Sequence, residues 1–201
     1  MTPDLFTALA TFALVTVITP GPNNLMLMAS GTNFGFVRTI PHMLGIGLGF
    51  PAMLVCVGLG VMQVFDLWPL SYTLLKLASV AYLLYLAWKI ANAAPPSSGE
   101  GRVEGKPLTF LQSAAFQWVN PKAWSMALSA ITLYATGRDL VAVLWVAGVY
   151  VGVSAVSTTS WTVLGQQVRR LLTNRARLRL FNRVMAALLV ATLVPVLWPA
   201  G

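Results

Sequence analysis

Two hydrophobic stretches of this chain, one in each half, are broken by proline. Residues 5–37 carry no charged side chain yet contain Thr19-Pro20-Gly21-Pro22-Asn23-Asn24, and residues 108–134 are interrupted by Asn120-Pro121-Lys122. Proline removes a helical N–H and clashes with the preceding turn, freeing carbonyls that hydrocarbon cannot satisfy. In a bilayer such a break persists only where protein buries it or a wet cavity meets it. Matching breaks in the two halves point to the substrate site of a secondary transporter.

Lipid is the solvent the composition demands. A 201-residue chain that is 57% hydrophobic and 9% charged, with mean hydropathy +0.75, carries more apolar surface than a soluble domain of its size buries. The net charge of +8 does not indicate a nucleic-acid partner, because the cations lie between hydrophobic runs, as orientation signals do. An all-α integral membrane protein follows. Six spans are expected at about 5–28, 41–64, 70–91, 109–134, 140–165 and 183–200, each near the roughly 20 residues that cross a hydrocarbon core. The third is the least clean, with Lys76 inside it, and a five-span reading remains open.

Residues 93–107, which contain Ala94-Pro95-Pro96-Ser97-Ser98-Gly99, are too small, polar and proline-rich to pack, and divide the chain into halves at 1–92 and 108–201. Three spans per half force opposite orientations, giving two inverted three-helix repeats with broken lead helices and both breaks near mid-membrane. Arg38, Lys89, Arg102, Lys106, Arg169, Arg170, Arg175, Arg177, Arg179 and Arg183 flank one set of connections, against Lys76 and Arg138 on the other. That bias puts the first set in the cytoplasm and both termini in the periplasm. The arginine cluster at 169–183 is read first as a topology anchor, with anionic lipid head groups as a further reading. The first span lacks a basic n-region and a small-residue cleavage site, so it is expected to be retained. Cys56 has no partner for a disulfide.

Lys122 is the one charged residue near the middle of an expected span, and no acidic residue in any expected core compensates it. Two readings stand: a receiver for a substrate carboxylate, or a lysine held by backbone carbonyls as a packing device. The amides of Asn23, Asn24 and Asn120 and the backbone opened at Pro20, Gly21, Pro22 and Pro121 complete a candidate polar site. Ser154, Ser157, Thr158, Thr159, Ser160 and Thr162 either line a path or let helices approach closely. Gly45 and Gly49 form a GxxxG packing face. His42, near the mouth of the second span, is read first as a structural histidine, with proton coupling beside Lys122 as the further reading. No spacing for metal ligands, catalytic nucleophiles or a nucleotide cofactor occurs, so neither an enzyme nor a cofactor is expected.

Thr19-Pro20-Gly21-Pro22-Asn23, the glycine-rich stretch from His42 to Gly49, Tyr82 to Lys89, and Phe116-Gln117-Trp118-Val119-Asn120-Pro121-Lys122 resemble the LysE/RhtB family of amino-acid exporters, and within it the exporters of cysteine and O-acetylserine. The resemblance covers nearly the whole chain and brings Gln117 into the candidate site. It implies efflux of small amino acids or related metabolites, homoserine- or threonine-like ones included, across a bacterial inner membrane, driven by the proton motive force. Phe50 stands where some members carry a polar or acidic residue, which leaves the coupling group unassigned. A passive channel and a non-transporting scaffold are the competing classes; the first leaves flux to the substrate gradient alone and the second leaves both breaks unexplained.

Overall fold

The computed structural model describes residues 2–93, 105–135, 139–172 and 174–197. Residues 94–104 of the expected linker, Arg138 and the end of the last expected span lie outside the described residues. Helices follow in the order α1 (Pro3–Ile18), α2 (Pro22–Phe34), α3 (Phe36–Gly58), α4 (Met62–Leu67), α5 (Leu70–Ala91), α6 (Phe110–Phe116), a 3₁₀ turn (Gln117–Val119), α7 (Pro121–Tyr134), α8 (Leu140–Leu171), α9 (Arg175–Ala191) and α10 (Val194–Leu197).

Proline starts helices here more than it stops them. Pro3, Pro22 and Pro121 open α1, α2 and α7, where the missing N–H is one the helix would leave unbonded anyway. Side-chain caps mark other starts: Thr109 and Gln112 form a capping box at α6, and Asp139 and Asn174 accept from the first turns of α8 and α9 at 2.7 and 2.8 Å. Pro41 and Pro51, by contrast, ride inside α3 without ending it. Gly35, at φ +79°, is the residue that separates α2 from α3, a conformation costly for any side chain with a Cβ.

Four described helical segments are long and apolar enough to cross a membrane, and a fifth joins them if α1 and α2, bent by 58° at their break, count as one span. This corrects several expectations. The first span runs on to Phe34 instead of ending at 28, because only Gly35 breaks the chain after the prolines; the second begins at Phe36 and ends at Gly58, with residues 62–67 forming α4. Its end falls just before Gly60, at φ +95°. The span at 109–134 is divided at Asn120-Pro121, the expected break, into α6, the 3₁₀ turn and α7; the last span begins at Arg175 instead of 183, since capping by Asn174 carries its first two turns beyond the apolar run. The third matches its expected range.

Each half's second long helix packs on the other half's broken one. α8 lies against α1 and α2, α3 lies against α6 and α7, and α3 and α8 pack on each other. The main core joins Leu9, Ala13, Phe50, Met53, Leu54, Ala123, Ala127, Val146 and Tyr150; a second joins Leu83, Leu86, Phe116 and Leu189 where α5 meets α9. Glycine permits the tightest approaches. A Cβ on Gly165 would meet the backbone of Met28, one on Gly31 the backbone of Thr162, and one on Gly49 would lie 2.6 Å from the Cα of Ala114. Such contacts without side chains are how helices bind one another in lipid. Outward faces are apolar, with Leu77, Trp88, Leu144, Trp145 and Val156 exposed, as lipid requires.

Gly165→Ala is expected to destabilise the protein by about 1–3 kcal/mol, the usual cost of overpacking, whereas Gly152→Ala, whose Cβ would meet nothing within 4 Å, leaves it unchanged. Thermal unfolding of both variants in detergent checks this.

Candidate functional site

The break after α1 leaves carbonyls with no helical partner, and side chains from elsewhere take them up. Asn24 Nδ2 donates to Val17 O at 2.7 Å and Thr19 O at 2.9 Å; Ser157 Oγ donates to Val17 O at 3.1 Å; Trp161 Nε1 donates to Ile18 O at 3.1 Å. The run of small hydroxyl residues in α8 thus provides Ser157 as a cap for the broken helix.

Lys122 completes the set. Its Nζ donates to Thr19 O at 2.7 Å, to Thr19 Oγ1 at 2.9 Å and, more weakly, to Pro20 O at 3.4 Å. The half-buried ammonium therefore rests on oxygen dipoles freed by the opposite half's break, and not on a carboxylate. Of the two sequence readings, this is the geometry of the second: backbone carbonyls hold the lysine. Gly21 makes room for it. Its φ of −174° is extended backbone that any residue adopts, but a Cβ there would lie 2.8 Å from Lys122 Cδ and 3.1 Å from Nζ.

A second link mirrors the first. Asn23 Nδ2 donates to Gln117 Oε1 at 2.8 Å while Gln117 Nε2 donates to Asn23 Oδ1 at 3.2 Å and to Ser113 O at 2.9 Å. The residue after Pro22 thus grips the segment before Pro121, as the residue after Pro121 grips the segment before Pro22. Gln117 and Asn120 are fully buried, and the Asn120 side chain accepts from Lys122 N at 3.2 Å.

Between the breaks lies a cavity of about 20 Å³, room for one water molecule and far too small for an amino acid. Gly21, Asn23, Asn24, Asn120 and Lys122 line it, with Ser154 and Thr158 of α8 opposite and Val17, Ile46, Phe50 and Met126 as apolar walls. Other expected residues sit around it. Gln117 stands behind Asn23, Pro22 is buried at the start of α2, and Pro20 and Pro121 line separate outer clefts. His42 is not among the lining residues; it faces a different cavity. Sequence reasoning missed Thr19 as a ligand of Lys122: its carbonyl has no side-chain signature, and nothing local pairs its hydroxyl with a lysine in the other half of the chain. It also missed Tyr150, whose hydroxyl lies 3.4 Å from Thr16 Oγ1 and whose ring meets Phe50 edge-on at 5.1 Å, closing one wall.

The secondary structure of the described residues is all helical, with four or five segments long and apolar enough to cross a membrane, as a multi-pass membrane protein requires. A family model described as LysE type translocator matches residues 14–196, and the chain belongs to the LysE family. Proteins named Cysteine/O-acetylserine efflux protein from Escherichia coli (strain K12) and Shigella sonnei (strain Ss046) are each 36% identical to it over 195 residues, covering 94% of this chain and 96% of theirs. No solved structure matches the chain.

Gly21→Ala tests whether the glycine exists to seat the lysine. The variant is expected to fold, because the displaced atoms belong to a flexible side chain, but to lose about tenfold in transport, the worth of one charge-assisted hydrogen bond of ~1.5 kcal/mol. Flux at matched membrane levels reads the outcome.

Proposed function

We propose that the protein is a secondary exporter of small amino acids with uncharged side chains, cysteine and O-acetylserine among them, across a bacterial inner membrane. The proton motive force drives it. The carrying observation is the Lys122 ammonium seated on the Thr19 and Pro20 carbonyls at the edge of a small cavity that Asn23, Asn24 and Asn120 also line. A zwitterionic amino acid is the complement of that pair: its carboxylate replaces the carbonyls as the partner of Lys122, and its ammonium replaces Lys122 as the partner of the carbonyls. No buried group is stranded at either stage, so substrate insertion avoids the cost of about 1–3 kcal/mol for each unsatisfied polar atom. The first-turn amides of α2, which has no side-chain cap, add positive potential toward the same carboxylate. Ser154 and Thr158 lie where a small polar side chain ends.

The proposal includes six spans in two inverted three-helix repeats, with α6, the 3₁₀ turn and α7 as a second broken lead helix and both termini in the periplasm. The exchanged packing of α3 and α8 and the mirrored links between breaks support it. A cavity with room for only one water between the breaks supports alternating access over an open channel. Lys122, the one cation lining the cavity among the described residues, is the coupling candidate there.

Inverted vesicles carrying wild-type protein are expected to accumulate radiolabelled O-acetyl-L-serine only under an imposed proton gradient. Lys122→Met should lower that uptake at least about tenfold, the loss of a charge-assisted bond of ~1.5–3 kcal/mol, while reaching the membrane normally. Lys122→Arg should fall between, since a planar guanidinium replaces a compact ammonium. Wild-type uptake in Lys122→Met removes the lysine from the site.

A further inference from the structure

A second cavity, of about 60 Å³, lies at the end of the molecule that carries most of the cations. Ser30, Asn33, His42, Lys89 and Lys106 are its polar lining, with Leu86 among its apolar walls. Two of these polar groups are already engaged. Ser30 Oγ pairs with Thr39 Oγ1 at 2.9 Å, and the Asn33 amide is saturated by a two-way pair with Asn182, at 2.8 and 3.1 Å, and by Ala29 O at 2.8 Å. His42 is not. It is 1% exposed, and neither Nδ1 nor Nε2 has a hydrogen-bond partner.

Buried polar groups without partners are rare, and each costs about 1–3 kcal/mol. The unsatisfied ring lies under a cavity whose rim carries two ammonium groups, Lys89 half-buried and Lys106 exposed. Lysine ammoniums donate only, whereas an imidazole supplies an acceptor as well. Together the three offer charge for a carboxylate and an acceptor for an ammonium in an otherwise mostly apolar cavity.

We propose that this cavity is a second amino-acid site, in which Lys89 and Lys106 take the carboxylate and His42 the ammonium of the exported molecule before it moves to the cavity between the breaks. It rests on the export reading for the identity of its ligand. The cation bias places it on the cytoplasmic face, where an exporter loads. The ring nitrogens are covered in the closed state, so occupancy moves the His42 side chain toward the cavity.

Ala93 also lines this cavity, and Ala93→Cys in a Cys56→Ser background provides a reporter. Labelling of the purified full-length protein in nanodiscs by a charged maleimide is followed with and without O-acetyl-L-serine. The amino acid is expected to slow labelling several-fold, and this protection is expected to survive Lys122→Met but to vanish in Lys89→Gln/Lys106→Gln, whose changes lie at the rim and leave packing intact. His42→Phe should raise the protecting concentration about tenfold, the worth of one hydrogen bond, and His42→Gln should restore it. Protection that is absent, that persists without the two lysines, or that disappears with Lys122→Met alone overturns the second site. Failure of the central site instead appears as gradient-driven uptake unaffected by Lys122→Met, a separate measurement.

Discussion

The structure depends on two reciprocal links between backbone breaks. Lys122, one residue past Pro121, donates to the Thr19 and Pro20 carbonyls ahead of Pro22, and Asn23, one residue past Pro22, pairs with Gln117 before Pro121. Neither break is tolerable alone in lipid, because each exposes polar backbone that hydrocarbon cannot solvate. Each half therefore supplies what the other's break lacks. The remaining carbonyls are covered from Asn24, Ser157 and Trp161, so the opened backbone finds its partners within the protein.

That closure constrains the helices around it. For side chains to reach across, α2 must lie within backbone contact of α8, and α3 within backbone contact of α6, and glycine at 31, 165, 45 and 49 allows both. The same contacts bring the two breaks together around the cavity that Lys122 lines. In the proposed function, a ligand that replaces the Lys122 link acts where the two breaks meet, so binding energy and conformational change fall at one place.

What the sequence disclosed depended on whether the deciding interaction had a side-chain signature. The breaks at Pro22 and Pro121 were legible because proline, glycine and asparagine cluster there. Pro41 and Pro51 carry the same local chemistry yet leave α3 continuous, so proline alone does not mark a break. The glycine face at Gly45 and Gly49 was legible as GxxxG and meets Phe110, Ser113 and Ala114 of α6. The boundary between the first two spans was not, since it rests on one positive-φ glycine, Gly35, inside an uncharged run. The uncompensated charge of Lys122 could be read; its partner could not, because a carbonyl belongs to every residue. The Asn33–Asn182 pair, 149 residues apart, lies beyond any local pattern. His42 was visible as a lone titratable residue near a span end, but its unsatisfied ring and its cavity with Lys89 and Lys106 exist only in three dimensions.

The central claim is that the Lys122 ammonium exchanges a carbonyl partner for a substrate carboxylate. Solid-state NMR of protein in lipid, with ¹⁵N at lysine Nζ and ¹³C at threonine carbonyl carbons, measures this directly. The account predicts a short Nζ–carbonyl coupling from Lys122 to Thr19 without substrate. On addition of carboxylate-labelled O-acetyl-L-serine that coupling is lost, and one to the substrate carboxylate takes its place. Persistence of the Lys122–Thr19 coupling in transport-competent protein saturated with substrate would contradict it.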